Sequence, residues 1–153
     1  MYYHGEYKEV PFSDLDIISG AGSIITNVLD YSKWLKAMID CSGPMSKDGH
    51  IQLKTARTLM EMGLEVTLPF TGPMFYTLGW MSSVYKDHQF FYHSGGVEAF
   101  GAELIFFPDL KYGITVLGNT AGTSNIAGSL LMWHLGDEKL KIPKQERFDW
   151  NKR

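Results

Sequence analysis

The sequence predicts an α+β domain, an antiparallel sheet flanked by helices. Three observations point there. Tyr31, Trp34, Leu35 and Met38 recur at helical spacing behind Asn27. Two apolar runs, 102–107 and 112–117, are joined by the turn sequence Pro108-Asp109-Leu110-Lys111. The order is helices, then strands, then a helix, which segregates the two element types instead of alternating them. At 153 residues, 44% hydrophobic and 20% charged, the chain has enough apolar material for one domain with a real core.

Each element has a local reason. Residues 1–17 are polar and aromatic with no helical period and read as a loop or edge strand. Ser19-Gly20-Ala21-Gly22-Ser23 reads as a tight small-residue turn. Asn27 caps a helix over 27–40, with Asp30 in the first turn, where the helix dipole favours a carboxylate. Ser42-Gly43-Pro44 ends it. Residues 46–50 read as a loop and 52–62 as a second helix, with Leu53, Ala56, Leu59 and Met60 inward and Gly63 as its stop. Residues 66–73 read as irregular. A strand is expected over 76–84, a turn at Lys86-Asp87-His88-Gln89, and an antiparallel partner over 90–93. After the hairpin of the two apolar runs, a last helix is expected over 124–135, with Gly136 just past its end. Both runs are apolar on both sides, so the sheet is expected to be covered on both faces. The last helix can take one face; the helices at 27–40 and 52–62 are the candidates for the other. Residues 1–138 read as the domain and 139–153 as a charged tail.

Composition excludes several functions. The net charge is −3, with Lys and Arg scattered, so no nucleic-acid partner is expected. Cys41 stands alone, which excludes an internal disulfide framework, and it reads as a small buried hydrophobe. No apolar run approaches the roughly 20 residues that cross a bilayer, so no membrane is expected. The N-terminus lacks a signal-peptide layout; with Met1 as the true start the chain would be cytoplasmic. His4, His50, His88 and His134 show no metal-ligand spacing, so neither metal nor cofactor is expected. The methionines, among them Met38, Met60 and Met62, read as gap-filling core. Trp80 and Tyr76 read as sheet packing, and Glu98 and Glu103 as solvated carboxylates at strand ends.

The most informative stretch is Tyr92-His93-Ser94-Gly95-Gly96. An aromatic strand runs into a small hydroxyl residue and two glycines, which leaves the main chain open to a ligand. Backbone N–H groups presented in that way can stabilise a developing oxyanion. Three segments in this order resemble the serine β-lactamase and penicillin-binding-protein superfamily, in particular its class C and esterase-like branch. They are Ser19-Gly20-Ala21-Gly22-Ser23-Ile24-Ile25-Thr26 leading into Asp30-Tyr31-Ser32-Lys33-Trp34-Leu35, then Leu78-Gly79-Trp80, then His93-Ser94-Gly95-Gly96 with Gly101 and a strand pair ending at Gly118-Asn119. The resemblance spans about residues 19–135. It implies a β-lactamase/transpeptidase-like sheet whose Lys-Thr-Gly or His-Ser/Thr-Gly triplet edges the active site. It further implies that Ser94 and Gly95 contact substrate, that His93 supplies polarity or charge, and that the Gly96 N–H is an oxyanion-hole donor.

The family's nucleophile is the Ser of a helix-borne Ser-x-x-Lys. The match here, Ser83-Val84-Tyr85-Lys86, falls at a strand end and hairpin turn. A strand spacing of three puts its Ser and Lys on opposite faces. Tyr31-Ser32-Lys33 reads as a core Tyr beside a surface Lys. The chain therefore resembles the C-terminal portion of such an enzyme, incomplete as a fold. Complete, it would be a serine hydrolase or acyltransferase for a small-molecule ester, amide or lactam substrate. Alone, the chain would be inactive. The rival reading is a truncated, non-catalytic homologue acting as a binding or assembly module. In either case self-association through an exposed sheet is expected.

Overall fold

A computed structural model of the chain describes residues 2–61, 69–70, 72–120 and 122–150. Two short strands, β1 (Tyr2–Tyr3) and β2 (Glu6–Tyr7), form a hairpin. A 3-10 turn at Asp16–Ile18 leads into the one-turn helix α1 (Ser19–Gly22). The small-residue turn expected here is thus helical, closed by the Ser23 N–H donating to the Ser19 carbonyl.

Helix α2 (Val28–Asp40) starts as expected. The Asn27 Oδ1 accepts the N–H groups of Leu29 and Asp30 at 3.0 and 3.1 Å, a cap worth about 1 kcal/mol. Leu35 and Met38 are buried on its inner face, while Trp34 is 38% exposed. The helix ends at Cys41 in the left-handed conformation (φ 50°). That cap turns Cys41 outward, so it is exposed and not the buried hydrophobe expected. Its Sγ accepts from the Lys54 Nζ at 3.3 Å.

Helix α3 (Lys47–Lys54) begins inside the expected loop, because the Ser46 hydroxyl caps it by accepting the Gly49 N–H at 3.1 Å. It also ends earlier than expected. Thr55 is extended, and Thr58–Met60 is a strand, β3, paired with β4 (Met74–Tyr76). Cross-strand pairing here outweighs the helical spacing of Leu59 and Met60. The stop expected at Gly63, Met62 and, of the stretch 66–73, residues 66–68 and 71 lie outside the described residues.

The strand expected over 76–84 is split. A turn between Thr77 and Trp80, with the Thr77 N–H on the Trp80 carbonyl at 2.8 Å and Gly79 at φ +86°, separates β4 from β5 (Met81–Tyr85). The next turn shrinks to Lys86 and Asp87, both at positive φ, the two-residue hairpin geometry that matches strand twist. Strand β6 (His88–Val97) is accordingly longer than expected. It is followed by β7 (Phe100–Phe107) and β8 (Tyr112–Gly118). The six strands β3 to β8 form one antiparallel sheet in sequence order.

Helix α4 (Thr123–Leu140) runs through Gly136, which is buried within it; the stop comes at Lys141, φ 56°. In the tail, Arg147 pairs with Glu138 at 2.7 Å and Trp150 packs against the core.

The sheet is covered on both faces. Phe90, Ile105, Phe107 and Ile114 pack with Met132 and Trp133 of α4. Phe91, Leu104 and Phe106 pack with Leu35 and Met38 of α2 and with Trp80. The Trp80 and Phe106 rings meet edge-on, 5.0 Å apart. Successive residues of β7 therefore enter different cores, which is why the run reads as continuously apolar; each such burial contributes about 1.5–3 kcal/mol. Exposed apolar side chains include Ile17, Ile24, Ile25 and Leu29 ahead of and at the start of α2, and Leu59, Val84 and Phe100 on the sheet strands. Among the described residues, no helix is long and apolar enough to cross a membrane.

Candidate active site

Among the described residues, β6 pairs with β5 over His88–Tyr92 and with β7 over Phe91–Val97. Among the described residues, β5 pairs with it only as far as Met81↔Tyr92, because the Thr77–Trp80 turn takes the chain away there. From His93 to Val97, β6 is held by β7 alone, with Gly96 opposite Gly101. The Asn125 Nδ2 donates to the Gly95 carbonyl at 2.9 Å and lies 3.4 Å from the Ala102 carbonyl. These two residues are cross-strand partners, so both carbonyls point into the space between β6 and β7. Alternation along an antiparallel strand then turns the N–H and C=O of Gly96, and those of Ser94, toward the free edge. Gly95 and Gly96 are exposed. Neither has a positive φ, and a β-carbon on Gly96 would meet only ordinary contacts, at 3.7 and 3.8 Å.

His93 is fixed at both ring nitrogens. Its Nδ1 lies 2.6 Å from the Ser94 carbonyl, which only accepts, so Nδ1 carries the proton. Its Nε2 lies 3.3 Å from the Tyr76 hydroxyl, which in the neutral ring donates to it. Tyr76, expected as packing, is therefore a neighbour of the candidate triplet. Trp80 is buried core, as expected.

Ser94 stands opposite Glu103. Glu103, expected as a solvated carboxylate, is 3% exposed. Its two oxygens accept from the Tyr92 hydroxyl and from the Asn125 Nδ2, both at 2.8 Å. Burial pushes its carboxyl above the usual range, with both donors opposing that. Glu98 is at φ 54° in the β6–β7 turn, well apart in character. Asn125 was not expected at the site: a single polar residue in a helix's first turn carries no local signal of what it reaches. The signal lay in Gly101, where a β-carbon would clash with the Asn125 side chain.

Ser83 lies on β5, not on a helix, and is buried with no partner for its hydroxyl among the described residues. Among the described residues, no group of His, Cys, Asp or Glu could hold a metal ion.

An antiparallel sheet between two helical covers defines a penicillin-binding-protein-like fold. The octameric penicillin-binding protein homologue from Pyrococcus abyssi superposes with a TM-score of 0.55 at 25% identity, over 72% of this chain and 24% of that one. Residues 1–135 match the Beta-lactamase family model, and the chain belongs to the beta-lactamase family. It is 40% identical to the Unguisins hydrolase ungD of Aspergillus violaceofuscus, over 97% of this chain, and 36% identical to the Unguisins hydrolase ungD' of Aspergillus campestris, over 95%. The chain spans 28% and 27% of the lengths of these two relatives.

Proposed function

We propose that this chain forms the oxyanion-side wall of a β-lactamase-like serine hydrolase or acyltransferase acting on an ester, amide or lactam carbonyl. The observation that carries the reading is the free edge of β6, where the Gly96 N–H has no strand among the described residues to bond. In this role it donates to the carbonyl oxygen as that oxygen becomes anionic. Gly95 leaves the edge open, Ser94 orients the acyl group, and His93, held by Tyr76, sets the polarity beside it. The attacking serine is other than Ser83, whose hydroxyl is enclosed in β5. The two Aspergillus relatives are named as hydrolases of unguisins, which favours hydrolysis over transfer and compounds of that kind as substrates.

The test is Gly96→Pro in the protein expressed from the complete reading frame, assayed with a p-nitrophenyl ester. Proline removes the N–H, and at a free edge it breaks no ladder bond. Loss of one oxyanion donor lowers kcat about 100-fold or more. Unchanged hydrolysis in a folded Gly96→Pro protein rejects the oxyanion role, and no hydrolysis by the unsubstituted protein leaves the non-catalytic module as the reading.

A further inference from the structure

The bonds around Glu103 form a closed circuit through three elements. Tyr92 of β6 donates to one carboxylate oxygen of Glu103 on β7. Asn125 of α4 donates to the other, and its amide nitrogen returns to β6 at the Gly95 carbonyl. The circuit leaves β6 one residue before His93 and rejoins it one residue before Gly96. What it brackets lies in the part of β6 that β5 does not reach. Two adjacent glycines there have no side chains to hold them, and glycine inside a strand weakens it. A buried carboxylate with two donors is an expensive way to fill a core position, since apolar residues of similar volume are often as stable. Its cost is intelligible if it holds the direction of the strand. The approach is tailored as well: Gly101 and Gly118 lack the β-carbons that would collide with Asn125 and Ser124 at the start of α4.

We propose that Asn125, seated by Glu103 and Tyr92, is a positioning residue that fixes the Gly95–Gly96 peptide and so aims the Gly96 N–H along the free edge. This rests on the function proposed above. Asn125 touches no substrate; it acts through Gly95.

The test compares Asn125→Ala with Glu103→Gln in the 153-residue chain by amide ¹⁵N relaxation. Asn125→Ala is expected to lower the order parameters of Gly95 and Gly96 from about 0.85 to below about 0.6, leaving those of Leu104–Phe107 unchanged. Glu103→Gln keeps an acceptor for the Asn125 amide and is expected to keep the order of Gly95 and Gly96. Unchanged order in Asn125→Ala, or loss spread over all of β7, overturns the proposal. Should Asn125→Ala not fold, Asn125→Leu keeps the volume without the donor amide and gives the same comparison. In the complete reading frame, Asn125→Ala is expected to lower kcat at least 10-fold at unchanged KM. If Gly96→Pro abolishes hydrolysis and Asn125→Ala leaves kcat intact, positioning fails alone. If neither alters hydrolysis, the function reading fails and positioning for catalysis fails with it, while the relaxation data still decide whether the clamp exists.

Discussion

Gly101 and Asn125 are fitted to one another: a β-carbon on Gly101 would lie 2.9 Å from the Asn125 Cγ and as close to the Ser124 hydroxyl. The start of α4 can sit on β7 only where β7 has no side chain. Gly101→Ala should therefore destabilise the chain by about 1–3 kcal/mol, the usual cost of overpacking. Gly96→Ala, whose β-carbon has room, should change stability by less than about 1 kcal/mol. Urea unfolding of both variants makes the comparison; a neutral Gly101→Ala would mean that Asn125 has another comfortable rotamer.

His93 is expected to be the Nδ1–H tautomer when neutral, with Nε2 accepting from Tyr76. Long-range ¹H–¹⁵N correlation of the ring at alkaline pH reads this directly. Tyr76→Phe should shift the Nε2 resonance and leave Nδ1 nearly unmoved, since the Ser94 carbonyl remains. A ring protonated at Nε2 would contradict the geometry.

Glu103 gives a pH signature. Its folded-state pKa is raised by burial above the ordinary 4.5, so folding favours the protonated form. The stability this contributes is complete below the unfolded value and is lost as pH rises through the folded one. Wild-type melting temperature should therefore fall relative to Glu103→Gln as pH rises from below the ordinary carboxylate value towards neutrality. A constant difference across that window would show that the two hydrogen-bond donors fully offset desolvation.

Ser83 should not be acylated by a fluorophosphonate or a penicillin. It is 4% exposed, and among the described residues no base hydrogen-bonds its hydroxyl. Ser83→Ala removes an unpartnered buried hydroxyl and should be neutral or stabilising by up to about 1 kcal/mol. Intact-mass measurement with peptide mapping checks the first statement, thermal unfolding the second. A stoichiometric adduct on Ser83 would restore the local Ser-x-x-Lys.

Local signals read correctly where the cause is local. Asn27 caps its helix with its own side chain, and Pro108-Asp109-Leu110-Lys111 turns between two strands whose apolar runs match their burial. The misread boundaries have distant causes. Leu59 and Met60 leave helical spacing to pair with β4, and Gly136 stays helical inside packed α4. At the candidate site, the triplet His93-Ser94-Gly95 and Gly96 were legible from residue type. The free edge was not, because it depends on the distant Thr77–Trp80 turn, and Asn125 was not, because its partners are 22 and 30 residues away.

The order of the sheet bears on how the chain folds. Each of the six strands pairs only with its neighbours in sequence, so the sheet can zip from one hairpin to the next without first closing a long loop. The β6–β7 hairpin, closed by a two-residue turn and lined with aromatic residues, is the natural starting point. Its two covers come from opposite ends, α2 before the strands and α4 after them. Since α4 brings Asn125 to the Gly95 carbonyl, the proposed positioning of Gly96 is expected to set in only when the last helix docks, late on a sheet that forms early.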